Sequence, residues 1–418
     1  MANEMESQAR KTCTSIFDAA TYILPDAIFA LTEEYHKDRY PKKVNLGQGT
    51  YRDAFGNPWV LPSVQTGREK LASQGLNHEY LPILGHEKFR LEATKLALGD
   101  QLFASLRDQV AVCQSVSGTG ALHLAGLLLR RGCKERPTVI IPTPTWSNHR
   151  QVFSSLGFDC HPFSYYDEAK KRIDWECYLD TLKRARSGSV VILHACAHNP
   201  TGFDPTREKW IEIGCVVKNR GLFPLFDAAY LGFNSGSIDD DAFSIRHFTA
   251  LGIEVGVCLS FAKNMGLYGE RVGCLFIVSQ NVAIARNVQS VLEMLQRSEI
   301  SNPPAYGSKI VATILEDEAL RRMWYEDLRT MSLRIKSMRQ ALYEHLIQAG
   351  APGLWEHLIQ QTGMFGFLGL PLETVNRLKE RHHIYMASNS RISIAGLNPN
   401  NVQYVAESIA KCLKSSTI

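Results

Sequence analysis

The 418-residue sequence lacks the features of a membrane, nucleic-acid-binding or zinc protein. No apolar run approaches the roughly 20 residues that a helix needs to span a bilayer. The formal net charge is only +4 and no segment concentrates it, so a role on nucleic acid or on a membrane surface has little support. The ten cysteines form no CxxC pair and show no His/Cys spacing that suits zinc, so we predict no metal site.

The remaining composition is that of an ordinary globular protein, with 45% hydrophobic and 21% charged residues. Several cysteines lie inside apolar runs, which is typical of reduced, buried thiols in a reducing compartment. The first residues, MANEMESQARKT, carry two glutamates and no apolar segment, so we expect neither a secretory signal nor a transit peptide. These observations predict a cytoplasmic protein.

Short apolar, β-branched runs alternate with longer helical segments in the middle of the chain. A helix is predicted at residues 121–132, with Gly132 as its C-cap. This alternation predicts an α/β fold with a mostly parallel sheet that helices cover on both faces. The candidate strands lie at residues 109–116, 138–142, 189–195, 222–226, 256–261 and 272–278.

The pattern changes from about Glu318. Apolar residues recur at spacings of three and four up to Gly350, which predicts one long amphipathic helix. Strand-like segments follow at residues 365–370, 383–386 and 391–396, and a last amphipathic helix is predicted to start near Asn398. These elements predict a second, smaller α+β domain.

The residues that follow each candidate strand are the candidates for chemistry, because ligands of open α/β sheets bind at the carboxyl ends of the strands. The segment SGTGAL (117–122) opens a helix and could bind a phosphate with its backbone N–H groups. Asn199, Asp227, Tyr230 and Lys263 follow three further strands.

Each of these residues alone has an ordinary explanation. Asp227 could cap a helix, Asn199 could form a turn with Pro200, and His149 could be a core histidine. Together they supply an amine, a carboxylate, a phenol, an amide and a phosphate cradle, which is the set that a pyridine aldehyde phosphate requires. Partial burial would lower the pKa of Lys263 and favour its action as a nucleophile and base.

Seven ordered motifs resemble those of the aspartate aminotransferases, most closely the animal cytosolic branch. They are NHEYLPILG, PTWSNH, HACAHNPTG, FDAAYLGF, SFAKNMGLYGERVG, SNPPAYG and GMFGF with SRISIAGL, and the resemblance extends from about Ile28 to the C-terminus. It implies a fold-type I pyridoxal-phosphate-dependent transferase with a seven-stranded sheet in its large domain. We predict an N-terminal arm at 1–20, a small domain at 21–52 and 331–418, and a large cofactor-binding domain at 53–330.

The resemblance implies a role for each residue that matches a motif position. Lys263 would form the Schiff base with pyridoxal 5'-phosphate and transfer the proton, while Asp227, with His149 behind it, would pair with the pyridinium nitrogen. The ring would also be held by Tyr230, Asn199 and Trp146. The phosphate would be bound by Ser117, Gly118, Thr119, Ser260 and Arg271, joined by Tyr80 from the other subunit of a homodimer.

The resemblance also implies the substrate. Arg391 would bind the α-carboxylate, a task that suits a bidentate guanidinium. Arg297 from the partner subunit would bind a side-chain carboxylate, and Gly49, Asn199 and Trp146 would also contact the substrate. The implied reaction exchanges the amino group between L-aspartate or L-glutamate and 2-oxoglutarate or oxaloacetate by a ping-pong mechanism.

The sequence departs from the family pattern at four positions near these residues. The family pattern Ser-x-Ser-Lys implies two hydroxyls on the phosphate, and here Ala262 stands in place of the second serine. The loss of one hydrogen bond to a charged group costs about 1.5–3 kcal/mol. Gln48 and Thr50 replace a valine and an alanine beside the substrate. Glu299 introduces a carboxylate two residues from Arg297. We therefore expect weaker cofactor binding.

These departures leave two alternatives open. An aspartate racemase would use the same cofactor but return the proton to the opposite face of Cα, which altered residues at 48 and 50 make conceivable. A family member of low activity would act mainly by binding. Against the second alternative, every residue that the chemical step needs is present.

Overall fold

The computed structural model describes residues 15–415. Residues 1–14, which include most of the predicted N-terminal arm, lie outside the described residues, as do 416–418. The strands of the described part are β1 (Val44–Asn45), β2 (Val110–Val116), β3 (Val139–Thr143), β4 (Cys160–Ser164), β5 (Tyr166–Asp167), β6 (Arg172–Ile173), β7 (Val190–His194), β8 (Phe223–Ala228), β9 (Val255–Ser260), β10 (Val272–Val278), β11 (Phe365–Phe367), β12 (Ile384–Tyr385) and β13 (Arg391–Ser393).

Helices account for most of the remaining chain between residues 15 and 415. They are α1 (Ala27–Lys37), α2 (Pro62–Ala72), α3 (Glu87–Leu98), α4 (Asp100–Leu106), α5 (Ser117–Gly132), α6 (Ser147–Ser155), α7 (Trp175–Arg184), α8 (Arg207–Arg220), α9 (Ile238–Asp241), α10 (Phe243–Ala250), α11 (Val282–Glu299), α12 (Tyr306–Glu316), α13 (Glu318–Gln348), α14 (Glu356–Gln360), α15 (Leu372–His382) and α16 (Val402–Lys414). In this part of the chain, no helix is long and apolar enough to cross a membrane.

Seven strands form one sheet in the order β2-β10-β9-β8-β7-β3-β4. Strand β10 is antiparallel to both neighbours, and the other pairs are parallel. Alternate residues of β7 belong to two separate apolar clusters, Val191 and Leu193 to one and Val190 and Ile192 to the other. Since alternate side chains of a strand point to opposite faces, the sheet is covered on both faces. The predicted fold class is confirmed.

The sequence analysis did not predict β4, which lies at the edge of the sheet. Within Cys160–Ser164 only Phe163 is buried, so the continuous apolar run of a central strand is missing. Pro162 also obscures the strand, because proline is tolerated in sheets mainly at edges.

Two predicted helix ends differ from the structure. Helix α5 already begins at Ser117, and Gly132 is its last residue rather than its C-cap. Cys133 takes the cap position because its backbone is extended, with φ −87° and ψ 141°. The last helix begins at Val402 and not near Asn398, because Asn398 Oδ1 accepts hydrogen bonds from the N–H groups of the next residues and holds them in a turn.

The C-terminal part contains the predicted long helix, α13, which has 31 residues. Short strands follow it: β11 pairs with β13, and β12 pairs with β1 from the other end of the chain. This pairing joins residues from both segments of the predicted small domain. The domain boundaries themselves stay a prediction.

Candidate active site

Functional groups from three neighbouring strands lie at one edge of the sheet. Asp227 near the end of β8 is in register with His194 in β7 and with Cys258 in β9. Asn199 follows β7, and Lys263 follows β9 within a turn. Because these strands are parallel, residues far apart in the sequence meet at their carboxyl ends.

Lys263 is a partly buried amine, and its Nζ lies 5.4 Å from the centroid of the Tyr230 ring. Burial lowers the pKa of Lys263. The negative charge of Asp227 opposes this effect, whereas Arg271 and Arg391 lower the pKa further. A larger share of the amine is therefore uncharged, and only that form attacks a carbonyl carbon.

Asp227 is a buried carboxylate that accepts from a buried histidine. Its Oδ2 lies 2.9 Å from His149 Nε2, and His149 Nδ1 lies 2.8 Å from the hydroxyl of Thr145. Burial alone would raise the pKa of Asp227, but the hydrogen bond and charge of His149, with smaller effects of His194 and Lys263, hold it below its ordinary value. Asp227 is thus kept ionised and can pair with a cationic ring nitrogen.

Sequence reasoning missed the buried histidines His194 and His198, whose rings lie 4.3 Å apart. The ring centroids of His194 and His149 lie 5.0 Å apart. The two ring nitrogens of His194 have no hydrogen-bond partner among the described residues. One nitrogen each of His149 and His194 and a carboxylate oxygen of Asp227 lie within 4.8 Å of one another, a set that could hold a metal ion. The spacing of these three residues matches no metal motif, so only the fold reveals the cluster.

The start of α5 faces the end of β9 across a short hydroxyl contact. Ser117 Oγ and Ser260 Oγ lie 2.9 Å apart, and Ser260 Oγ also accepts from the backbone N–H of Ala262 at 3.2 Å. A Cβ added at Gly118 would lie 3.4 Å from Ser260 Cβ, so the two elements approach to van der Waals distance at this position. Thr119 follows, partly exposed in the same helix turn. The hydroxyls of Ser117 and Ser260 and the first N–H groups of α5 therefore lie together where the sequence predicts a phosphate-binding site. We call this group the phosphate cradle.

Arg271 immediately precedes β10, whose first residue, Val272, pairs with Val116 just before Ser117. Ser117 and Arg271 both have left-handed backbones, with φ of 59° and 52°, which few residues other than glycine adopt. Gly273 allows the close approach of α5, because a Cβ there would lie 2.4 Å from the carbonyl oxygen of Leu259 and 3.0 Å from Ser117 Cα. Close packing thus fixes the cradle against the sheet.

Arg391 is a buried guanidinium without an ion-pair partner among residues 15–415. It donates to Asn199 Oδ1 at 3.2 Å and to the carbonyl of Gly47 at 2.8 Å, while its Nε has no partner in the described chain. Burial lowers its pKa, and Tyr230 and Asp26 oppose that effect. A buried cation with an unpaired N–H suits a carboxylate ligand. Since Asn199 Oδ1 accepts from Arg391, the Asn199 amide nitrogen is left to donate elsewhere.

Phe365 is a site residue that sequence reasoning did not name. Its ring lies 4.2 Å from the guanidinium carbon of Arg391 and forms an edge contact with Tyr230, with centroids 6.5 Å apart. A Cβ on Gly49 would lie 2.9 Å from Phe365 Cζ, so Gly49 packs tightly against the ring. Trp146 is partly exposed and immediately precedes α6. Its ring makes an edge contact with His149, with the ring centroids 5.6 Å apart.

Tyr80 and Arg297 are not brought to Lys263 by this chain. Tyr80 is 87% exposed. Arg297 donates to Ser301, whose hydroxyl donates to Asn302, and Asn302 donates to the carbonyl of Leu81, next to Tyr80. Both residues therefore belong to one exposed surface of the described chain.

The four departures from the family pattern have different surroundings. Glu299 Oε2 lies 3.1 Å from His123 Nε2, on the side away from Arg297, because residues two apart in a helix do not face each other. Gln48 and Thr50 are partly exposed next to Gly49. Ala262 is buried and brings no hydroxyl to the cradle.

These features fit pyridoxal phosphate. The cradle offers hydroxyls, helix N–H groups and Arg271 to a phosphate; Lys263 offers an amine of lowered pKa; and Asp227 offers an ionised carboxylate. The unpaired Nε of Arg391 offers a place for a second anionic ligand.

Comparison with known proteins identifies the family. The model of aminotransferase class I and II matches residues 41–409. The chain belongs to this family. It is 42% identical to the cytoplasmic aspartate aminotransferase of Saccharomyces cerevisiae over 97% of this chain and 98% of that one.

Solved structures agree with this membership of the aminotransferases. The yeast cytoplasmic aspartate aminotransferase superposes with a TM-score of 0.93 at 42% identity, covering 96% of this chain and 99% of that chain. An aromatic-amino-acid aminotransferase from Burkholderia pseudomallei, covalently bound to pyridoxal phosphate, has a TM-score of 0.92 at 38% identity, covering 96% and 100%. The predicted family is confirmed, and neither the racemase nor the binding-only alternative gains support.

Proposed function

We propose that this chain is a pyridoxal-phosphate-dependent aminotransferase that exchanges the amino group between L-aspartate or L-glutamate and 2-oxoglutarate or oxaloacetate. The observation that carries the proposal is the convergence of Lys263, the Asp227–His149 pair and Arg391 at one sheet edge. Similarity to aspartate aminotransferases over nearly the whole chain supports the substrate class.

When bound, pyridoxal phosphate supplies an aldehyde that receives the amino group and a ring that withdraws electrons from Cα. Lys263 Nζ would hold the cofactor and then accept the proton from the substrate's Cα, a role that its lowered pKa supports. Asp227, kept ionised by His149, would hold a proton on the ring nitrogen. Tyr230 and the free amide nitrogen of Asn199 would donate to the ring's 3-oxygen, and Trp146 would cover the ring.

The anionic groups would be bound at separate places. Arg391 would bind the α-carboxylate above Phe365, with Gly49, Asn199 and Trp146 lining the substrate site. The phosphate would be bound by Ser117, Gly118, Thr119, Ser260 and Arg271. Without a hydroxyl at Ala262, the phosphate site has one donor fewer, and we propose weakened cofactor binding.

A homodimer would complete each site with Tyr80 and Arg297 of the partner subunit. The exposure of Tyr80 and its link to Arg297 through Ser301 and Asn302 support this arrangement. Large exposed apolar side chains near the N-terminal end, including Ile23, which is 83% exposed, offer further surface for a second copy. The cytoplasmic relatives support a cytoplasmic location.

The test is to incubate purified protein and pyridoxal phosphate with L-aspartate and 2-oxoglutarate. We expect equimolar oxaloacetate and glutamate, and none with the Lys263→Ala control. Absence of both products from the wild-type protein would refute the proposal. Chiral chromatography of the remaining aspartate tests the racemase alternative in the same sample, since only a racemase would accumulate the D-enantiomer.

A further inference from the structure

Two arginines of helix α13, Arg334 and Arg339, each donate to several backbone carbonyls of other segments. Arg339 is 3% exposed and has no ion-pair partner within residues 15–415. Burial lowers its pKa to about 9. Burying a guanidinium without a carboxylate is costly, so its position calls for an explanation beyond apolar packing.

Arg339 binds the segment that leads into β11. It donates to the carbonyl of Gly363 at 2.7 Å, to the carbonyl of Phe365 at 2.9 Å and to Gln361 Oε1 at 3.3 Å. Gln361 in turn binds both backbone groups of Phe367, at 2.9 and 3.0 Å. The planar guanidinium therefore fixes the backbone on which the Phe365 ring is mounted.

Arg334 lies five residues before Arg339 in the same helix and binds two other segments. It donates to the carbonyls of Ala395 and Leu397, each at 2.9 Å, which follow β13 with Arg391. It also donates to Tyr51 Oη at 2.9 Å and to the carbonyl of Arg52, which follow Gly49. The Arg334 guanidinium thus connects the segment that follows β13 to the segment that follows Gly49.

The three segments that these arginines hold surround Arg391. The Phe365 ring contacts Arg391 and packs against Gly49, and the Gly47 carbonyl accepts from Arg391. The segments also bind one another, through Ile394 N–H to the Met364 carbonyl at 2.8 Å. A shift of any one segment would therefore move the guanidinium of Arg391 or the ring beneath it.

We propose that Arg334 and Arg339 are positioning residues that hold Arg391 in place for the substrate's α-carboxylate. The inference rests on the proposed function, which assigns the α-carboxylate to Arg391. Neither residue contacts Lys263 or the phosphate cradle in the described structure. The pair thus acts first on substrate binding, and it reaches the cofactor site only indirectly, through the contacts of Arg391 with Asn199 and of Phe365 with Tyr230.

The experiment compares Arg339→Lys, which keeps a charge but loses the planar fork, with Arg322→Lys at an exposed position of the same helix. Succinate, a dicarboxylate that cannot be transaminated, is titrated by calorimetry into the cofactor-loaded proteins. We expect about tenfold weaker succinate binding and an about tenfold higher KM for aspartate in Arg339→Lys, because several charge-assisted hydrogen bonds are lost. Its kcat and its affinity for pyridoxal phosphate change much less than its affinity for succinate.

The outcomes separate this inference from the proposed function. A folded Arg339→Lys with wild-type succinate affinity, or with an equal loss of cofactor affinity, overturns the positioning role alone. A wild-type protein that neither binds succinate nor transaminates overturns both. If Arg339→Lys does not fold, Arg334→Lys at a half-buried position takes its place, with the same expected rise in KM and a much smaller change in kcat.

Discussion

His149 Nε2 lies 2.9 Å from Asp227 Oδ2, and both side chains are buried. A carboxylate in such surroundings would ordinarily gain a proton, yet the pKa of Asp227 lies below its usual value. The histidine therefore determines the charge of the group that we assign to the cofactor's ring nitrogen.

Replacement of His149 by alanine is expected to raise the pKa of Asp227, since burial is then less opposed. Activity that needs the ionised carboxylate is lost as the pH falls through this pKa, so a higher pKa moves the acid limb of kcat/KM to higher pH. The measurement is the pH profile of kcat/KM. His149→Asn, which keeps an N–H donor, should move it less, and an unchanged acid limb in His149→Ala would contradict the assignment.

Replacement of Ala262 by serine is expected to strengthen pyridoxal phosphate binding about ten- to hundredfold, because one hydrogen bond to a charged group is worth about 1.5–3 kcal/mol. Equilibrium dialysis of the cofactor measures the change. Ala262→Cys is the matched control, similar in size but a weak donor. Equal affinities of the serine and cysteine variants would show that a hydroxyl at this position does not reach the phosphate.

Mixing two inactive variants tests the shared site. Lys263→Ala and Arg297→Ala each disable both sites of their own dimers towards aspartate, but a mixed dimer has one site with both residues intact. After subunit exchange at equal concentrations, about a quarter of the wild-type activity should return, given random pairing and one intact site per mixed dimer. No recovery in a sample proven to contain mixed dimers would place Lys263 and Arg297 in sites of the same chain.

Asp241 predicts a pH dependence of stability. Burial raises its pKa to about 7 from 3.8, although its oxygens accept from Asn234 and Ser235. The folded state then binds this proton more tightly than the unfolded state, so the contribution to stability is complete below about pH 4 and is lost as the pH rises through 7. Urea unfolding midpoints should fall from pH 5 to pH 8, and less steeply in Asp241→Asn.

The neighbouring Asp240→Asn is the control for this fall of the unfolding midpoint with pH. Asp240 is largely exposed and forms an ion pair with Arg207 at 2.6 Å. Its unfolding midpoints should follow those of the wild type. If the wild type and Asp241→Asn changed in parallel, Asp241 would not be the titrating group.

Much of the site could be predicted because strand direction alone brings it together. Asn199, Asp227 and Lys263 follow apolar runs that the sequence marks clearly, and parallel strands place their carboxyl ends at one edge. The roles of these residues stay predictions.

The surroundings of Arg391 could not be predicted from the sequence. Gly47 and Phe365 reach it through strands of only two or three residues, which leave no periodic signal. The partner of Glu299 was equally hidden, because His123 lies in a helix distant in sequence and only the packing of α5 against α11 brings the two side chains within 3.1 Å.

The left-handed backbones of Ser117 and Arg271 have a consequence for the life of the protein before it meets its cofactor. Each such residue costs on the order of 1–3 kcal/mol, and the cost is present whether or not the phosphate site is filled. Anything that binds only the folded chain offsets that cost by mass action. Newly made chains without pyridoxal phosphate should therefore be the form most easily lost to heat and proteases.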